Sequence, residues 1–159
     1  MKISHVFLFL FLVKTTYSQN TFVENKGQFP VNVLCKAHLP SGDLYIEEGK
    51  FTYVFYNQNQ IKESHNSTTT RDYIDAHSYK VYFVNSNENT NFSLDSASTY
   101  YKNYFIGNKD SWVNNVKTYK RYTQKEIYDG VDLVMFSVEN KLKYELHLQP
   151  DASVKDIKI

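Results

Sequence analysis

The sequence predicts an all-β protein, an antiparallel β-sandwich-like domain that reads as incomplete at its C-terminal end. Three observations carry this. Aromatic residues are abundant, with Tyr 14 and Phe 11 among 159 residues, and large half-buried rings suit a pleated surface. Apolar residues recur at alternate positions in short runs, and no long stretch follows the helical period. The glycines lie in turn-like contexts, Gly27 in NKGQ, Gly42 in PSGD, Gly49 in EEGK, Gly107 in IGNKD and Gly130 in YDGV. Pro30, Pro40 and Pro150 also fall between the runs, where a missing N–H breaks no ladder.

Residues 1–18 read as a secretory leader. MKISHVFLFLFLVKTTYSQN opens with Lys2, is apolar from Val6 to Val13 and places small residues at Thr16 and Ser18, so cleavage is expected between Ser18 and Gln19. The apolar run is shorter than the ~20 residues of a spanning helix, and no Cys follows the cleavage point to carry a lipid. The expectation is an exported chain, secreted or on the outer cell surface, with no transmembrane helix in its mature part. Residues 19–159 then form one β-rich domain.

Behind the leader, TFVENKGQFP (Thr21 to Pro30) reads as an opening hairpin, with Gly27 in its turn, Phe22 and Phe29 anchored in the sheet, and Glu24, Asn25 and Lys26 near water. Val31 to Leu39 alternates with Cys35 on its apolar side; a lone cysteine makes no internal bridge, so Cys35 reads as buried and inert. Leu44 to Glu47 follows a turn at Pro40-Ser41-Gly42-Asp43, and Phe51, Tyr53 and Phe55 share one face of the next strand. Tyr79, Val81 and Phe83 mark another. Val131 to Val138 is apolar on both faces, as a central strand is. After a turn at Glu139-Asn140-Lys141, Leu142, Tyr144, Leu146 and Leu148 alternate with Lys143, Glu145 and His147. Gln58 to Arg71 and Asn85 to Asn91 are polar and lack a period, so both read as loops. A short helix is expected only near Asp110 to Asn115. Val154 to Ile159 begins a strand at which the chain stops, as in a front piece of a longer protein.

A net charge of +1 without a basic block argues against nucleic-acid binding. His38, His65, His77 and His147 show no paired ligand spacing, His5 lies in the leader, and the dense acid series of a calcium loop is missing, so no metal or other cofactor is expected. His38 and His147 fall on polar strand faces and read as solvated. Glu24, Asp129, Asp132 and Glu145 are the acids from which a glycosidase pair would be drawn. Asp132, inside an apolar strand, reads first as a carboxylate accepting turn N–H groups, and no catalytic residue is assigned. Tyr100, Tyr101, Tyr104, Trp112, Tyr119 and Tyr122 form an aromatic belt suited to sheet packing or to sugar stacking. Within it Trp112, Tyr119 and Tyr122 are the candidate glycan contacts. Asn66-Ser67-Thr68 and Asn91-Phe92-Ser93 fit the N-glycan sequon but are discounted as sites.

Three blocks in order carry a family resemblance: FVENKGQFP at Phe22 to Pro30, YYKNYFIGNKDSWVNNVKTYKRYTQKEIYDGVDLVMF at Tyr100 to Phe136, and LKYELHLQPDASVKDIKI at Leu142 to Ile159. The chain resembles the N-terminal domain of unknown function (DUF7948) of large secreted Bacteroidota proteins, found ahead of SBBP-type β-propeller repeats and a type IX secretion sorting signal. Asp129 and Asp151 stand where that pattern has Pro and Gly, and both are good turn residues. The resemblance implies a β-rich surface module in adhesion or envelope work, with propeller repeats and a sorting domain as its downstream partners. It supplies no catalytic residues. In such a source Asp95-Ser96-Ala97 matches an O-glycosylation pattern, making Ser96 a candidate acceptor. The function expected is therefore a non-catalytic secreted or cell-surface β module. The alternatives are a carbohydrate-binding module that meets surface glycans with Tyr and Trp side chains and, ranked last, a glycoside hydrolase using Asp132.

Overall fold

The computed structural model describes residues 21–66, 73–139 and 141–159. The leader with Ser18 and Gln19, part of the first sequon and Asn140 lie outside the described residues. Among the described residues nine strands form one antiparallel sheet: β1 (Phe22–Glu24), β2 (Val33–Leu39), β3 (Gly42–Glu47), β4 (Lys50–Tyr56), β5 (Ala76–Tyr82), β6 (Phe92–Tyr104), β7 (Val113–Tyr128), β8 (Val131–Val138) and β9 (Lys141–Leu148), with α1 (Gln58–Asn66) between β4 and β5. The order is β5-β4-β3-β2-β1-β7-β8-β9, and β6 pairs with β7 off that path. The all-β, antiparallel expectation is met.

One strand organises the rest. Tyr119 of β7 pairs with Phe22 of β1 and with Ala97 of β6, while Arg121 to Gln124 pair with β8 and with β6. β1 and β8 thus follow one another along the same edge of β7, and β6 occupies the other. The sheet divides there into two halves and curls so that their inner faces meet, a sandwich-like core within one continuous sheet. Phe22, Cys35, Ala37, Leu44, Ile46 and Phe51 supply one side of that core, and Tyr122, Leu133 and Met135 the other. Phe22 meets Tyr122 and Phe51 meets Tyr144, both at 6.1 Å between ring centroids. Burying each large apolar side chain contributes about 1.5–3 kcal/mol, which a chain with a lone thiol needs. That thiol, Cys35, is fully buried, and burial pushes its pKa well up.

Most period-two runs become strands at the expected places. Val31 is the exception in its run: it is 99% exposed, because Val33 N–H donates to Pro30 O at 3.0 Å and the chain is still turning there. Gly42 opens β3 without positive φ. It is required by close approach, since a Cβ would lie 1.9 Å from the Val54 carbonyl oxygen of the neighbouring strand.

Two expectations are corrected, and the Phe92–Tyr128 region adds a hairpin that alternation does not show. Gln58–Asn66 is a helix and not a loop; Asn57 caps it, its Oδ1 accepting the N–H groups of Asn59 and Gln60 at 3.2 and 3.3 Å. The region from Phe92 to Tyr128 is a long bent hairpin, and its strands β6 and β7 escape the alternation rule. Ser96, Asn115 and Glu126 have φ of 58°, 55° and 52°, and the register shifts near each, so the apolar positions change face along both strands. Val154–Asp156 forms a 3₁₀ turn in place of a strand. Beyond it Val84 N–H and Tyr128 OH both donate to Lys158 O at 2.8 Å, tying the chain after β5 to the end of β7.

Candidate functional site

The ENKGQ motif does not form a tight hairpin. β1 and β2 pair, with Glu24 opposite Cys35, but a long loop joins them and Asn25 organises it. Asn25 Nδ2 donates to the carbonyls of Phe29, Pro30 and Val33 at 3.4, 3.0 and 2.7 Å, and its Oδ1 accepts from Gly27 N and Phe29 N at 3.0 and 3.3 Å. Gln28 closes the loop on itself, accepting from Lys26 N and donating to Glu24 O. Glu24 and Lys26 reach across to β7: the Glu24 carboxylate accepts Lys117 N–H at 2.7 Å and Tyr119 OH at 3.3 Å, and Lys26 Nζ donates to Asn114 O at 3.2 Å. Phe29 leaves the sheet and packs edge-on against Tyr45 and Tyr104, with centroids 6.0 and 5.7 Å away.

Under Phe29 lies a set of polar side chains of which the sequence reading singled out only His38, as a solvated side chain. Lys36 of β2 and Asp43 of β3 form an ion pair at 3.2 Å with each side chain only 10% exposed, and the ammonium also sits 5.3 and 5.8 Å from the Phe29 and Tyr45 ring centroids. His38 Nδ1 is 2.7 Å from Asp43 Oδ1, and Lys102 Nζ of β6 is 2.8 Å from His38 Nε2. Lysine has only donors, so the tautomer that satisfies both contacts accepts at Nε2 and donates from Nδ1–H to Asp43. Tyr56 OH donates to Asp43 Oδ2 at 3.3 Å.

The electrostatics follow from this packing. Burial by itself raises the Asp43 pKa, but the His38 hydrogen bond and the charge and hydrogen bond of Lys36 together hold it below the usual carboxylate value. Burial, then the Lys36 charge, pulls Lys102 down against a smaller opposing pull from Asp43. Burial, reinforced by Tyr45 and Asp43, pushes Tyr56 up to about 12. The cluster fixes the β6–β7 hairpin to the outer face of β2 and β3. A signal for it was present: a two-residue turn at Pro40-Ser41 sets His38 opposite Asp43.

The candidate acids have different partners, and Asp132 stands opposite His147, the neighbour of Glu145, on one face of β8 and β9. Asp132 accepts Lys125 Nζ at 2.6 Å and Glu126 N–H at 2.9 Å, capping the bulge where Glu126 has positive φ. Burial raises its pKa, but these bonds and the Lys125 charge more than reverse that, so it stays ionised. Asp129 accepts Asn87 Nδ2 at 3.0 Å, which docks the 85–91 loop, and Glu145 pairs with His147 at 2.8 Å. His38 and His147 keep 42% and 49% exposed side chains, each against an acid. Among the described residues no group of three His, Cys, Asp or Glu is placed to hold a metal ion, and no helix is long and apolar enough to cross a membrane.

The aromatic belt separates. Tyr122 is wholly buried, stacked on Phe92 at 5.8 Å with its OH donating to Gln124 Oε1, so it presents no face to a glycan. Tyr119 is half-buried and bonded to Glu24. Trp112 stays exposed at the far end of the β6–β7 hairpin. Ser96 is exposed at a kink of β6.

A family model described as a domain of unknown function (DUF7948) matches residues 22–159. Neither a curated protein nor a solved structure matches the chain.

Proposed function

Because the chain belongs to the DUF7948 family, we propose that it is a non-catalytic β module of an exported, multidomain surface protein. Neither the family nor the all-β fold carries a sign of catalysis. The observation that carries the reading is the occupation of Glu24, Asp129 and Asp132, each by a neighbour that holds a strand, bulge or loop in place, while Glu145 pairs with His147 of its own strand. A catalytic pair needs two carboxyl groups facing one substrate bond with different protonation, and an ionised Asp132 fixed by Lys125 is a poor proton donor. The purified protein is expected to turn over no glycoside, and turnover that disappears in Asp132→Asn or Glu145→Gln overturns the proposal. Export is tested separately, by finding a mature N-terminus at Gln19 on cells or in the medium.

The glycan-binding reading narrows to Trp112, the member of its three contacts that is exposed. Oligosaccharide binding lost in Trp112→Ala with an unchanged melting temperature supports it.

A further inference from the structure

The β6–β7 hairpin ends in an apolar apex. Its last paired residues are Tyr104 and Val113, and residues 105–112 beyond them are all exposed. Phe105, Ile106 and Trp112 are 57%, 73% and 42% exposed, and Phe105 and Trp112 form a tilted ring pair at 5.0 Å. The 3₁₀ turn Lys109–Ser111 beside them buries nothing. Large apolar side chains clustered on a projecting turn need a partner to cover them.

Charge around the apex leans positive. Lys109 and Lys117 outnumber Asp110 there, while Lys102 is taken up by His38 and the Glu24 carboxylate is bonded to Lys117 N–H and Tyr119 OH. Lys26 adds an ammonium by bonding to Asn114 O and Asn115 O at 3.2 and 3.4 Å. We infer that this apex inserts Phe105, Ile106 and Trp112 into the interfacial layer of an anionic lipid surface, with the lysines at the headgroups. A convex apolar tip matches a deformable apolar layer. Trp places its N–H at the polar boundary, and lysine stems reach back to the phosphates. A sugar would use ring faces, but the Trp112 ring is shared with Phe105, and Ile106 offers no ring. The inference rests on the module reading and names what the module touches.

Trp112 is the lone tryptophan, so its fluorescence reports the apex directly. On titration of the protein with phosphatidylglycerol/phosphatidylcholine vesicles, a blue shift is expected, with none on phosphatidylcholine alone. Phe105→Ser with Ile106→Ser, which leaves Trp112 in place, should weaken vesicle binding at least about tenfold, since each buried apolar side chain is worth a decade or more in Kd. Lys109→Glu with Lys117→Glu should weaken it and flatten its salt dependence. An absent shift on anionic vesicles overturns the inference. So does an equal shift on neutral vesicles, a shift on soluble oligosaccharide without lipid, or a shift that tracks protein concentration alone, the mark of a second copy. Failure here leaves the glycoside turnover assay untouched, so the two readings fail separately.

Discussion

The Lys36 ammonium lies 3.2 Å from the Asp43 carboxylate across the β2–β3 turn, under the ring of Phe29. The pair is buried, so removing one partner strands a charge that water cannot reach. Lys36→Met is expected to destabilise by about 3–5 kcal/mol. In a double-mutant cycle, adding Asp43→Asn should recover part of that loss, as read from urea unfolding. Additive effects would show that the ion pair is not the stabilising element.

Stability should fall in acid for a stated reason. Asp43 and Asp132 both titrate below the ordinary carboxylate value in the folded state. Unfolded Asp titrates near about 3.9, so their stabilisation is complete above that and is lost as pH falls through the lower folded values. The urea midpoint should drop below about pH 4, and Asp43→Asn should make that drop shallower. An unchanged slope in the variant rejects the assignment.

Asn25 both donates and accepts within its loop. Asn25→Ala should cost about 2–4 kcal/mol. Asn25→Asp keeps the acceptor but turns an oxygen toward the carbonyls of Pro30 and Val33, and should be at least as damaging. Denaturant melts of the two variants check the order.

Gly42 and Gly27 separate two reasons for glycine. Gly42→Ala meets the Val54 carbonyl at 1.9 Å and should cost about 3 kcal/mol or more. Gly27, at φ +104 with open space around it, should lose only about 1–2 kcal/mol on change to Ala, from backbone strain. Reversal of that ranking in thermal melts would contradict the β3–β4 packing.

Cys35 should react with thiol reagents only as fast as the sheet opens, because the thiolate is excluded from the core. Labelling at the rate of a free thiol in native buffer would place it at the surface.

The sequence showed the fold best where one face is wet and the other dry. β4 and β9 alternate cleanly in sequence, although Tyr144 and Leu148 of β9 stay exposed, and the apolar run of β8 marks its place beside β7. α1 was hidden because Gln58–Asn66 has no apolar stripe, with Ile61 alone among polar residues; it is held by the Asn57 cap and by Gln60, whose side chain donates to Asp75 Oδ2 and accepts Asp75 N–H. β6 and β7 were hidden by their own bends, since each positive-φ residue resets which side chains face the core. Of the site, Cys35 and Asp132 could be read from their places on apolar strands. The Lys36–Asp43 pair was open only to a reading of the turn register, and Lys102 could not be read, because its partner His38 lies 64 residues earlier in the chain.

β7 carries β1 and then β8 along a single edge. Traction applied at residues 105–112 would run down both β6 and β7, and the share on β7 divides between two ladders loaded along their length, where hydrogen bonds resist together and do not open one at a time. A pull on the exposed tip would therefore be shared by both halves of the sheet.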